Sequence, residues 1–293
     1  KNMPNKPLDK VQVLRNYSNN KLLKGVEESN KVALNLTVDE AYKDLWFGDI
    51  SVGYGVVSEN RYQVSGNLMN FSKKYKNFLT YGLNNVGEDR VGSLESMFYN
   101  NYEVESIGNN SQLYQLMGLY GARASQLKDH RTRINNAEHV SLSSIVPVTE
   151  KLKIKAVGFL GFDENYAFNN SYSITNVGDT YFENTENNQF KSHLKNGYIN
   201  LLATYDVSKT QMLQLSSVWN QGNTNNYNDL TFNGQNTLEK LQTKHTFFDQ
   251  KVTYTHKWKD KNVVLLKARY FSNKLPQFYN INDYLMGDLF AFD

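Results

Sequence analysis

The chain has 293 residues, 40% of them hydrophobic and 13% aromatic, with 32 Lys and Arg against 29 Asp and Glu for a net charge of +3. So small a charge, carried by scattered lysines, leaves no electrostatic footprint for nucleic acid. The absence of cysteine removes disulfides, thiolate metal sites and a cysteine nucleophile.

Mean hydropathy is −0.61, and no run of about 18 apolar residues occurs, which leaves out a transmembrane helix. A transmembrane β-barrel stays open, because its spans alternate and average polar. The chain begins without an initiator Met or a leader, and both ends read as cuts in a longer chain.

Residues 1–45 read as a small mixed segment packed against something larger. "LDKVQVLRNY" is a strand with Val11 and Val13 on one face. After a polar stretch, "KVALNLTV" is a second strand, with Val32, Leu34 and Leu36 in phase. From Trp46 onward the chain carries about nine alternating segments. "WFGDISVGYG" puts Trp46, Ile50, Val52 and Tyr54 on one face, and "RYQVSGNLMNF" and "NFLTYGLNNV" follow. "AEHVSLSSIVPV" phases Val140, Leu142, Val146 and Val148.

In "KLKIKAVGFLGF" the set Leu152, Ile154, Ala156, Gly158, Leu160 and Phe162 is wholly apolar or small, while the alternate set begins with Lys153 and Lys155. "GYINLLATYDV", "QMLQLSSVWN", "FDQKVTYTHKW" and "NVVLLKARY" repeat the pattern. Each is a strand with one apolar and one polar face.

The connections sort by length. Tight, Lys-bearing turns are expected at Lys73–Lys76, Glu150–Lys151, Ser208–Lys209 and Lys259–Lys261. Long polar loops are expected at 88–131, 163–195, 221–241 and from 272 on, with "SENR" as the one short exception. Short turns on one side and long loops on the other is the asymmetry of an outer-membrane barrel. Trp46, Tyr205 and Trp258 fall at the short-turn end and Trp219 near the other, as two interfacial girdles require.

The expected fold is therefore an all-β, antiparallel transmembrane β-barrel whose apolar faces meet lipid. Because bilayer-embedded backbone must be fully paired, nine strands would be part of a larger ring.

No catalytic, cofactor-binding or metal site is read from the sequence. His130, His139, His193, His245 and His256 form no metal-spaced pair, and His256 beside Trp258 reads as an interfacial ring. "DENYAFNN" and "NTNNYND" are rich in oxygen ligands but lack the calcium-loop pattern. "DHRTR" reads as a solvated strand entry, and no hydrolase or nucleotide motif is present. Lys251, Thr253, Thr255, Lys257, Lys267 and Arg269 would face the lumen, and Arg15 could pair with a lumenal carboxylate such as Asp206.

The stretch "LDKVQVLRNYSNNKLLKGVEESNKVALNLTV" resembles the end of the plug domain of TonB-dependent outer-membrane receptors. Val11, Val13, Leu14 and Arg15 match the plug strand, Gly25 the loop, and Asn35 with Leu36 the exit into the barrel. "LLKGVEESNKVALNL", "GYG", "YGLNNVGED", "QKVTYTHKWKDKNVVLLKARY" and "PQFYNINDYL" are similar to the Bacteroidota branch with an N-terminal carboxypeptidase-regulatory-like domain.

The resemblance implies a plugged barrel of about 22 strands. Residues 1–45 would end the plug, and 46–293 would be about the first nine barrel strands. The long loops would be extracellular and the short turns periplasmic. Implied partners are outer-membrane lipids, a surface lipoprotein lid or other outer-membrane subunits, and an inner-membrane energy-coupling protein if the missing N-terminus carries the coupling box. The implied function is energy-coupled uptake of a bulky ligand, with a structural subunit of a secretion or assembly complex as the alternative.

Overall fold

The computed structural model describes residues 8–15, 17–18, 20–24, 26, 32–56, 59–72, 74–89, 91, 115–119, 134–259 and 262–282. Twelve strands follow in order: β1 (Leu8–Leu14), β2 (Ala33–Val38), β3 (Trp46–Gly55), β4 (Arg61–Phe71), β5 (Lys76–Asn84), β6 (Ile134–Pro147), β7 (Leu152–Val177), β8 (Thr180–Asp206), β9 (Gln211–Phe232), β10 (Gln235–Lys259), β11 (Asn262–Lys274) and β12 (Gln277–Ile281). Strands β1 and β2 form a separate antiparallel pair. Val11 and Val13 are more than half exposed there, so the packing expected of that segment is not seen on these two side chains.

The remaining strands make one antiparallel sheet in the order β11-β10-β9-β8-β7-β6-β5-β4-β3. Strand β12 pairs with Glu239–Thr243 of β10, just beyond the Thr246–Lys259 stretch that pairs with β11, so the two share one edge line. The sheet is thus nine positions wide. Strand β3 at one end pairs only with β4, and β11 with β12 at the other end pair only with β10, so the sheet is open among the described residues and no ring is closed.

The loops expected at 163–195 and 221–241 are strand instead. Strands β7 and β8 pair without a break from Leu152↔Tyr205 to Val177↔Thr180 across a two-residue turn. Strands β9 and β10 do the same out to Phe232↔Gln235. The turn residues explain the second hairpin: Asn233 and Gly234 both take positive φ, 49° and 83°, as the tight turn that matches strand twist requires. Gly178 at the other tip has φ 61°. Polar composition marks a strand in water on both faces as readily as a loop, and there the paired backbone decides.

The short turns fall where expected. They separate β4 from β5, β6 from β7, β8 from β9 and β10 from β11. In an antiparallel meander all four lie at the same end of the sheet.

Register carries the side-chain argument, because directly opposed residues share a face. One row runs Gly48, Leu68, Leu79, Leu142, Gly158, Ile199, Trp219, Phe248. Following each strand by twos from this row keeps every apolar set of the sequence on one continuous face. Between the short turns and the row of Phe248, that face bears no Asp, Glu, Lys or Arg on any of the nine strands. On β10 it runs from Trp258 to Phe248, about 33 Å along the strand.

Burial is inverted relative to a water-soluble sheet. The apolar face is the open one: Ile50, Val52, Leu142, Leu160, Leu201, Leu215, Val252 and Leu266 are all exposed. The opposite, polar face holds the buried residues, among them Asn67, Asn84, Asp163, Asn196, Asn220, Asp249 and Thr255. A small apolar cluster of Val91, Ala137, Phe159, Tyr198, Val218 and Phe247 sits within that polar face.

Candidate functional site

Two regions of the sheet carry organised chemistry, and the first is the polar face near the short turns. A 3-10 turn at Lys21–Leu23 is capped by Asn20, whose side chain accepts from the Leu22 amide. The same Asn20 donates Nδ2–H to Thr255 Oγ1 at 2.7 Å, and Lys21 Nζ meets Asp206 Oδ2 at 2.6 Å. Asn20, Leu22, Met212 and Thr255 are all buried at this contact. Among the described residues, a neutral hydrogen bond, an ion pair and a buried leucine seat this part of the N-terminal segment on the polar face. Asp206 does face that side, as expected, but its partner is Lys21 and not Arg15, which is exposed. The cap at Asn20 orients the turn so that the next side chain, Lys21, reaches the carboxylate.

Further along the same face lies a buried charge cluster. Asp249 is 2% exposed and takes Arg269 in a two-point fork, Nε–Oδ1 2.9 Å and Nη2–Oδ2 3.0 Å. Lys251 Nζ stands 3.8 Å from the same carboxylate, and the Arg269 guanidinium lies 4.8 Å from the centre of the Phe271 ring. Of the residues expected to face the lumen, Lys251, Thr253, Thr255, Lys257, Lys267 and Arg269 all fall on this polar face by register. Asp249 is the member the sequence reading did not single out. It lies two residues before Lys251 in the same alternation, so the signal was present.

A hydrogen-bonded ladder crosses the other side of the face. Asn67 Nδ2 donates to Asp49 Oδ2 at 2.6 Å, and the hydroxyls of Thr80 and Ser141 lie 2.6 Å apart. Asn135 accepts from the Gly87 amide, and its own amide lies 3.4 Å from Asn84 Oδ1. Higher up, the buried acceptor oxygens of Asn188, Asn196 and Asn226 have no hydrogen-bond partner among the described residues. Such a face offers hydrogen-bond donors and acceptors to polar chain or ligand groups. Among the described residues no group of three or more His, Asp or Glu could hold a metal ion.

Each described histidine has its own surroundings. His256 packs edge-on against Trp258 with ring centres 5.6 Å apart. His245 lies between Asn220 and Asn273, 3.1 Å from each. His193 lies 3.0 Å from Glu164, and His139 is buried over Gly82, where an added Cβ would stand 2.4 Å from the imidazole. His130 and the "DHRTR" cluster lie outside the described residues. "DENYAFNN" and "NTNNYND" belong to β7 and β9. Alternation sends their successive oxygens to opposite faces, so neither stretch wraps a cation.

The second region is the outer side of the extended hairpins. There Lys191, Lys195, Lys240, Lys244 and Lys274 are exposed just beyond the apolar band. A shallow hollow between β8 and β10 is lined by Tyr166, Lys191, Tyr227 and Lys240 among others.

Compared with protein-family models and with characterised proteins, the sequence finds no match.

Proposed function

We propose that the chain is part of an outer-membrane receptor barrel, resembling TonB-dependent receptors, that takes up a bulky ligand by energy-coupled rearrangement of a plug. One observation carries the reading: the apolar face is open and, from the short turns to the row of Phe248, free of charge over nine strands, while the polar face is the buried one. Nine strands about 4.8 Å apart and about 33 Å tall present on the order of 1,400 Å². Soluble monomers tolerate apolar patches of roughly 300–600 Å². At about 25 cal/mol per Å², taking that face out of water is worth on the order of 35 kcal/mol. Lipid of the right thickness covers it.

The seat of Asn20 and Lys21 on the polar face supports a plug whose last segment docks there in part through a breakable ion pair. An exposed-to-partly-exposed ion pair such as Lys21–Asp206 is worth about 1 kcal/mol or less, which suits a segment that shifts when ligand binds. A second reading, a fixed subunit of a secretion or assembly machine, is favoured by β7–β8 and β9–β10. They are continuous paired strands out to two-residue turns, not open capture loops.

Purification of the full-length protein from native outer membranes in mild detergent separates the two. A surface lipoprotein as sole stoichiometric partner is the expected result for uptake. A constant set of secretion or assembly components would replace it with the second reading.

A further inference from the structure

Resting on the outer-membrane reading, we infer that the outer face above the apolar band binds the phosphate-bearing headgroups of the surrounding lipid. The charge-free part of the apolar face ends on the side of the long hairpins. Phe162 pairs with Lys195, which pairs with Asn223, which pairs with Lys244. One row nearer the band, Thr246 pairs with Lys274. Two rows farther out, Tyr166, Lys191, Tyr227, Lys240 and Asn280 form a single row. All five lysines are exposed, and among the described residues none is in an ion pair.

Their placement is one-sided. At the same levels the polar face of these strands carries Leu194, Asn196, Leu241, Thr243, His245 and Asn273, with no lysine. Scattered lysines would fall on both faces. The carboxylates on the outer face nearby are Glu138, Glu164 and Asp229. Glu164 is engaged by His193 and Asp229 by Asn236, while Glu138 sits two strands from Lys195.

Two of the lysines are propped on rings: Lys240 Nζ lies 5.3 Å from the Tyr227 ring centre and Lys244 Nζ 6.0 Å from that of Phe278. Propped ammonium groups lose less freedom on binding. Lysines on alternate strands stand about 10 Å apart, leaving room for a phosphate between them, and Asn223 and Asn225 on β9 supply neutral donors in that gap. An anionic headgroup anchored to acyl chains that lie on the apolar band below would meet these cations at the height where they sit. Each lysine near a charged lipid surface adds attraction that salt screens.

The test uses the full-length protein in mild detergent and native mass spectrometry, with bis-phosphorylated lipid A and its dephosphorylated form as probes. Wild type should retain the phosphorylated lipid roughly ten-fold better, and a K195Q/K244Q/K274Q variant should lose that preference. A K209Q/K259Q variant at the short-turn end should keep it. Equal retention of the two lipids, or a triple variant that behaves as wild type, overturns the inference. Displacement of lipid A by inorganic phosphate at equal concentration would make this a small-anion site and also overturn it. Solubility of the protein without detergent or lipid would instead sink the outer-membrane reading itself, and that outcome is scored before any lipid is added.

Discussion

Asp249 and Arg269 show how a single residue pair can hold a sheet edge. The carboxylate is buried and satisfied by a two-point guanidinium fork. Removing it with Asp249→Ala takes the two-point carboxylate partner from Arg269, itself only 15% exposed. The expected cost is about 3–5 kcal/mol, read as a fall in the temperature at which the folded band is lost on unheated gels. Asp249→Asn should cost less, because one acceptor remains. Gly82 makes the complementary point about space. The His139 ring occupies the volume of its absent side chain, so Gly82→Ala should destabilise by about 1–3 kcal/mol. Gly53→Ala, whose nearest neighbours stand at 3.9 Å, should be close to neutral. Denaturant midpoints of the two variants in the same detergent check the difference.

At the scale of the element, the two long hairpins are the main departure from expectation. Their alternation is obscured because both faces are polar, so the 163–195 and 221–241 stretches read as loops. The signal that did exist was Asn233-Gly234, a dipeptide suited to positive φ at both turn positions. Gly234→Val should strain the turn, at a cost of about 1–2 kcal/mol, and expose the tip. Limited proteolysis near residue 234 should become faster by several-fold, with the short-turn end unaffected. Equal cleavage of wild type and variant would mean that the hairpin tip is open already.

At the scale of the whole molecule, neighbouring residues on opposite faces give the most direct test of what covers the sheet. Leu201 lies on the open apolar face and Leu202 on the polar one. If the open face meets hydrocarbon, Leu201→Arg should cost about 2–4 kcal/mol of insertion near mid-band. Leu202→Arg should cost less, since its row already carries Lys155 and Lys251. The folded fraction in liposomes of each variant decides it, and equal losses would remove the distinction between the faces. The chain's three tryptophans, Trp46, Trp219 and Trp258, are exposed at the rims of the band. Lipids brominated near the headgroup should therefore quench its fluorescence more than lipids brominated near the chain ends.

Period-two alternation is a local property of the backbone, so the strands within the apolar band, their apolar sets and the end bearing the short turns were determined by the sequence itself, whereas the outward extensions of β7 to β10 were not. The shared polar face of Lys251, Thr255 and Arg269 was determined there too, because face follows from parity once one residue is placed. Lys21 and Asp206 lie 185 positions apart, and nothing in either stretch names the other. Their meeting depends on where the capped turn at Asn20 lands, which only the tertiary structure decided. The inversion of burial belongs there too. Alternation shows that one face is apolar, but which face is covered depends on the curvature of nine paired strands and on what lies across them.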